Sequence, residues 1–512
     1  MGKFYLTTAI DYINGPPHIG HAIQKVWADI IARHRRLEGD EVFFLTGTDE
    51  HGINIERKAE ELGKDPLKLA DENSQKFRDM KRALNLSWDD FIRTTDRERH
   101  WTGAVMLWKK LAESGDIYKG RYRGLYCAGH EAFITQKDLV DSKCELHGKE
   151  PEEIDEENYF FKLLKYTEPI KKAIESGEFK IIPESRKNEI LALIEEGLED
   201  VSFSRPTKDV SWGIPVPDDS SQTMYVWCDA LTNYISAIGY GQDNNWKKWW
   251  PADLHVLGKD NLRFHAAIWP GMLLAAGLEL PKALLVHGFV QVGGRKISKT
   301  LGNVVDPFDL VERYGTDAVR YYFSREVPIF GDGDFTEDKF LEAYEGNLVN
   351  GLGNYIQRVS TMAKNYFDSV LEKPAEEDLV KVPLLKGGRE YVAVEYFINQ
   401  VIIKEYREAM DEFELTRAID KSFHLLKELD GYVQNYEPFK LIKMDKEKTR
   451  AVLWNLSYGA AAAAWLLLPF LPETAEKIFD IFGVEGKKPE EWNKFTVKEH
   501  KALFPRMMKQ EV

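Results

Sequence analysis

Cysteine is scarce: Cys127, Cys144 and Cys228 stand alone among 512 residues. The set is too small, and odd in number, for a disulfide framework, and it fits a reducing compartment, so a cytoplasmic location is expected. No apolar stretch approaches the roughly 20 residues that cross a bilayer. The longest, Ala460–Leu471, contains Pro469 and reads as a buried helix, so no membrane partner is expected. The opening Met1-Gly2-Lys3-Phe4-Tyr5-Leu6 lacks a long apolar run with a small-residue cleavage site, and Leu6 breaks a myristoylation pattern. Positive charge is in deficit, with 69 Lys and Arg against 84 Asp and Glu and a net charge of -15. That excludes a chain that coats nucleic acid non-specifically, while leaving room for a local basic groove.

What is abundant is core material. Apolar residues make up 43% of the chain and include 13 Trp, 22 Tyr and 27 Phe, so a disordered protein is excluded. The length calls for roughly two to four folded units. Lys3 to Ile10 is β-branched and aromatic, the turn-rich Asn14-Gly15-Pro16-Pro17 follows, and Ile19 to Leu37 has helical spacing. Glu41 to Thr46 reads as a second buried strand, with Gly47-Thr48-Asp49 at the end where an open parallel sheet binds ligand. Residues 1–117 are therefore expected to form the first half of a Rossmann-like α/β sheet.

Residues 118–217, rich in charge and holding Cys and His, read as an insertion. Residues 218–333 resume the sheet, with strands expected at Thr223 to Cys228, Leu254 to Leu257 and Ala283 to Val290. Residues 334–512 read as an all-α bundle, with helices near 336–368, 388–411, 414–436, 446–467 and 473–482.

Two short segments carry the chemistry. His18 and His21 stand three apart where a loop becomes a helix, so both rings can share a face beside backbone N–H groups that favour anions. Two surface histidines are the plain alternative, and a His-x-Gly-His match arises by chance in about two chains in a hundred of this composition. Lys296-Ile297-Ser298-Lys299-Thr300 follows a strand and the flexible Gly293-Gly294, and offers two ammonium groups to developing phosphate charge. Alone, it would read as a solvated basic loop. Within the insertion, Cys127-x-x-His130 and Cys144-x-x-His147 form two paired-ligand turns suited to one tetrahedral, structural Zn²⁺.

In combination, these segments resemble the class I aminoacyl-tRNA synthetases, whose signatures are written HIGH and KMSKS and stand here as HIGH and KISKT. The resemblance is closest to the methionyl-tRNA synthetases. It is carried by Ala9 to Gly15 leading into HIGH, by Thr46-Gly47-Thr48-Asp49-Glu50-His51-Gly52, by Tyr225-Val226-Trp227-Cys228-Asp229-Ala230-Leu231 and by Gly258 to His265. It implies that ATP and methionine are the small substrates, with Mg²⁺ on the leaving phosphates and tRNA(Met) as acceptor. It assigns ATP to His18, Gly20, His21, Gly258, Asp260, Lys296, Ser298 and Lys299, with His18, His21, Lys296 and Lys299 acting in catalysis. Asp49 would hold the substrate ammonium.

The resemblance places Ala9, Ile10, Tyr12, Trp227, Ala230, Leu231, Tyr234 and His265 around the methionine side chain. Tyr234 and His265 are the candidate donors to its sulfur. Ordinary core packing is the plain alternative for the aromatics. Asn354 and Arg358, four apart on one helical face, match the family's anticodon segment, and Phe439 stands where the family usually has tryptophan. The family often carries cysteine at the place of His130, so the location of the zinc site is better supported than that ligand. The chain ends soon after the bundle without an appended dimerisation module, which predicts a monomer. A synthetase-derived RNA-binding or scaffold protein without ligase activity is the alternative from another class.

Overall fold

The computed structural model describes residues 2–127, 132–134, 139–144, 150–297, 302–386, 390–484 and 488–507. The chain is mixed α/β, with a parallel sheet and a helical C-terminal region. Two compact units divide it. Met1–Ala28, Arg35–Arg82 and Leu86–Gly288 form the first, and Asp29–His34, Ala83–Asn85 and Phe289–Val512 the second.

The first unit is built on a seven-stranded sheet. Numbered in chain order, its strands are β1 (Lys3–Thr8), β2 (Asp11–Tyr12), β3 (Glu41–Asp49), β4 (Asp90–Arg93), β5 (Lys180–Ile182), β6 (Leu254–Gly258) and β7 (Ala283–His287). The order is β5-β7-β6-β1-β3-β2, with β4 also paired to β3, and every pairing is parallel. Parallel strands covered on both faces read as near-continuous apolar runs. Thus β6 and β7 are buried at every residue, and Tyr5, Leu6, Phe44 and Leu45 are fully buried in β1 and β3. Gly47 is obligatory where β3 meets β4: a Cβ there would lie 2.1 Å from the Ile92 carbonyl oxygen.

Three expectations are corrected here. Thr223 to Cys228 is not one strand. Asp219–Met224 is a strand of a small antiparallel sheet with Ser204–Pro206 and Pro215–Val216, and Val226–Leu231 is helical. The segment's aromatic and β-branched composition suits a strand, but helix geometry turns Asp229 toward buried partners, and tertiary bonding overrides propensity. The run Ala283 to Val290 breaks after His287, and Val290–Val292 pairs elsewhere. Within residues 118–217, Lys180–Ile182 belongs to the main sheet, while Ile117–Cys127 and Glu152–Phe161 pair antiparallel along their length.

In the second unit, helices Asn354–Phe367, Ile403–Asp411, Leu415–Tyr436, Lys446–Leu467 and Pro472–Phe482 match the expected periodicity. Lys446–Leu467 is central. Asp445 caps its first turn by accepting from the Lys448 N–H at 2.9 Å. Ala460 to Ala464 are fully buried, and a Cβ on Gly459 would meet Leu429 Cδ1 at 2.2 Å, so small residues let the helices approach closely. The helix expected from residue 388 instead begins at Val394, after a short antiparallel pair, Leu384–Lys386 with Glu390–Val392. The Gly387-Gly388 pair between those strands is the hairpin signal that apolar spacing alone passes over. Residues 29–34 and 83–85 join this unit through the buried Arg320. Its guanidinium pairs with Asp29 at 2.9 Å and donates to the carbonyls of Leu84, Pro469 and Phe470. Among the described residues, no helix is long and apolar enough to cross a membrane.

Candidate active site

Because β7, β6, β1 and β3 run parallel and side by side, their carboxyl ends open onto one edge, where an open α/β sheet binds its ligand. Ala9 and Ile10 follow β1, Asp49 ends β3, Gly258 ends β6 and His287 ends β7. Tyr12 in β2 is in register with Asp49, and the Ile13 N–H donates to the Asp49 carbonyl at 3.2 Å. The Gln24 amide donates to the Ala9 and Val256 carbonyls at 3.3 and 3.2 Å, fixing the turn out of β1 against β6.

His18 and His21 lie close together at the start of helix Ile19–Leu37, ring centroids 3.9 Å apart and planes tilted by 34°. The Gly20 N–H donates to His18 Nδ1 at 3.0 Å, and His21 lies edge-on to Phe77. On the same helix, buried Lys25 pairs with buried Asp11. Burial pushes the Asp11 carboxyl up, while Lys25 and His18 pull it down. A Cβ on Gly258 would stand 2.6 Å from Asp260 Oδ1, so glycine is what lets that carboxylate fold back over the strand end.

Most of the residues expected around a substrate side chain come from helices Val226–Leu231 and Asn233–Ser236 and from the segment around Phe264 and His265. Trp227 stacks on Phe264 with ring centroids 3.5 Å apart and planes at 10°, beside the buried Ala230 and Leu231. The Tyr234 hydroxyl bonds His265 Nε2 at 2.6 Å, and His265 Nδ1 bonds the Asn261 carbonyl at 2.9 Å. A carbonyl only accepts, so Nδ1 carries the proton. Burial holds the His265 pKa down to about 4, which keeps the ring neutral, and Nε2 must then accept from Tyr234. The donor protons of both residues are committed to each other and to the backbone. In this arrangement, neither residue has a donor proton left to offer a ligand.

A family model described as tRNA synthetases class I (M) matches residues 4–138 and 134–360. A methionine–tRNA ligase of Thermotoga maritima is 40% identical over 96% of this chain and 76% of its own length. One from Brucella suis biovar 1 is 41% identical over 95% of this chain and 93% of its own length. The solved structure of Mycobacterium tuberculosis methionyl-tRNA synthetase in complex with methionyl-adenylate superposes with a TM-score of 0.90 at 34% identity, over 99% of this chain and 100% of that one.

The chain belongs to the methionyl-tRNA synthetases.

Not every residue expected of a methionyl-tRNA synthetase site can be placed. Lys296 lies in the second unit, on the short strand Arg295–Lys296 antiparallel to Val290–Val292, with its ammonium 5.8 Å from the Phe289 ring centroid. Gly293 and Gly294, expected as a flexible link, form the tight turn between those strands, both at positive φ. Ser298, Lys299 and Thr300 lie outside the described residues. So do His130 and His147. Cys127 and Cys144 are both buried and share one small cluster with Leu125 and Leu139. Among the described residues, no group of three or more His, Cys, Asp or Glu converges as a metal site requires. Asn354 and Arg358 begin helix Asn354–Phe367, where Arg358 pairs with Asp430 at 2.9 Å with both side chains well exposed. Phe439 is 47% exposed.

Glu50, His51 and Asp229 stand in the segments that carry the resemblance but have no role expected from it, and neither His100 nor Arg93 stands out in the sequence. Fully buried Glu50 accepts from Thr48 Oγ1 at 2.6 Å, Arg93 Nε at 2.8 Å and Thr95 Oγ1 at 2.5 Å. Fully buried Asp229 accepts from His51 Nδ1 and His100 Nε2, each at 2.6 Å. Burial pushes its carboxyl up, but the two histidines outweigh it and hold the pKa at about 2. The available signal was charge within apolar segments, since a buried acid requires a partner.

Proposed function

We infer that this chain activates methionine with ATP to methionyl-adenylate and transfers the methionyl group to the 3′ end of tRNA(Met), releasing AMP and pyrophosphate. The observation that supports this reading most is the buried side-chain cluster beside the ends of the parallel strands. There the Trp227–Phe264 stack and the self-satisfied Tyr234–His265 pair give an apolar, polarizable lining within a unit that also ends β3 on Asp49. Asp49 binds the substrate ammonium. Ala9, Ile10, Tyr12, Trp227, Ala230, Leu231, Tyr234 and His265 surround the side chain.

The substrate carboxylate attacks the α-phosphate of ATP and pyrophosphate leaves, so positioning and charge neutralisation do most of the work. ATP enters as its Mg²⁺ complex. His18, Gly20 and His21, with Lys296, Ser298 and Lys299, hold the phosphates, and Gly258 and Asp260 hold the ribose. Asn354, Arg358 and Phe439 read the anticodon, with Phe439 stacking on a splayed base over less area than an indole would cover. Cys127 and Cys144, with His130 and His147, hold one zinc ion that orders the insertion and enters no chemical step. Two buried thiols in one small cluster suit such a site. The protein works in the cytoplasm as a monomer, and the four blocks 1–117, 118–217, 218–333 and 334–512 are its working divisions.

Amino-acid-dependent ATP–pyrophosphate exchange, run with each of the twenty amino acids, tests the reading. Exchange with methionine alone is expected. No exchange with any would favour the scaffold alternative. Metal analysis of the purified chain should find about one zinc, lost on Cys144→Ser. Folded, metal-free wild-type protein would refute the zinc site.

A further inference from the structure

Asp229 is bonded at both oxygens inside the first unit. Oδ2 accepts from His51 Nδ1 and Oδ1 from His100 Nε2, each at 2.6 Å. The chain continues from His100 Nδ1 to Ser236 Oγ at 2.9 Å. Asp229, His100 and Ser236 are fully buried and His51 is 2% exposed, so none of these bonds competes with water.

His51, Asp229 and Ser236 each neighbour residues proposed for the site, and His100, from Arg97–Trp101, bridges Asp229 and Ser236. His51 stands two residues after Asp49. Asp229 stands two after Trp227 and one before Ala230, and Ser236 stands two after Tyr234. The Asp49 segment is also fixed from its other side, because Glu50 is bonded to Thr48, Arg93 and Thr95 and its carbonyl accepts from Trp212 Nε1 at 2.6 Å. The bond between His51 and Asp229 ties this segment to helix Val226–Leu231.

We propose that Asp229, gripped by His51 and His100, is a positioning residue that sets the separation between the ammonium grip at Asp49 and the side-chain pocket at Trp227 and Tyr234. It thereby selects the length of the amino acid activated. The proposal rests on the methionine reading of the pocket. An amino acid one methylene shorter fits a rigid pair of grips poorly, and fits a loosened pair less poorly, because the discrimination then loses its fixed ruler.

The test is steady-state ATP–pyrophosphate exchange with methionine and with S-methylcysteine, its one-methylene-shorter analogue, at varied ATP. Asp229→Asn keeps the shape but turns an N–H donor toward one histidine. It should raise the methionine KM at least 10-fold, move the ATP KM less than 2-fold, and narrow the preference for methionine over S-methylcysteine at least 5-fold. His51→Leu should do the same. His51→Asn, which keeps an N–H near the place of Nδ1, should recover most of the loss, and the two His51 variants decide the matter if Asp229→Asn does not fold. Variants that lower turnover equally for both amino acids, with KM values and preference unchanged, would overturn the proposal while leaving the methionine reading intact. Wild-type protein without methionine-dependent exchange would overturn the reading itself.

Discussion

The side chains proposed for methionine in the first unit and Asn354, Arg358 and Phe439, proposed for the anticodon in the second, are held in opposite ways. In the first unit, Glu50, Asp229, His51, His100, Tyr234 and His265 are buried and hydrogen-bonded: Glu50 to Thr48, Arg93 and Thr95, Asp229 to His51 and His100, and Tyr234 to His265. On the helical face, Arg358 makes an ion pair that is exposed on both sides, and Phe439 stands open to solvent. The difference follows from ligand size. A small apolar amino acid gives little binding area, so the protein must fix its grips beforehand. A tRNA brings large surfaces and its own stacking bases, and exposed side chains can adapt to it.

This contrast can be broken by experiment. Glu50→Ala should cost the most, about 3 kcal/mol of unfolding free energy by urea titration, because it removes a fully buried carboxylate that half-buried Arg93, Thr48 and Thr95 all bond. A loss under about 1 kcal/mol would mean that the buried network is not holding the first unit. Next comes pH. Burial holds His265 and His287 at about 4 against an ordinary 6.5. Below about pH 6.5, the unfolded chain therefore binds protons that the folded chain refuses until about pH 4. Stability is fully present above pH 6.5 and should fall by roughly 2 kcal/mol per histidine on going to pH 5. Urea midpoints measured from pH 7 to 5 should show the slope, and His265→Gln should make it shallower.

On the open face, the effects should be smaller and confined to tRNA. Arg358→Ala should raise the tRNA KM for aminoacylation about 10-fold, with methionine-dependent exchange changed less than 2-fold. Phe439→Ala should raise it about 5-fold, and Phe439→Trp should lower it below wild type. If either alanine variant depressed exchange as strongly as aminoacylation, the face would be structural and the contrast with the pocket would fail.

How much was legible beforehand varies by residue type. Long periodic helices such as Leu415–Tyr436 and Lys446–Leu467 were readable because apolar spacing repeats over many turns. Thr223 to Cys228 was misread, since a short apolar run suits strand and helix alike and its outcome depended on where Asp229 finds His51 and His100. Trp227, Tyr234 and His265 were placed by resemblance. That Tyr234 spends its proton on His265, and leaves none for sulfur, was invisible without geometry.

The sequence by itself determined the parallel sheet, the helical C-terminal region and the family, because local spacing and short contiguous motifs carry that information. Only the tertiary structure decided that Lys180–Ile182 joins the main sheet, that Gly293-Gly294 is a tight turn, and that Asp229 ties His51 to His100. The first and last of these depend on partners far apart along the chain, such as His51 and Asp229, 178 residues apart, whose meeting is set by how the strands and turns pack.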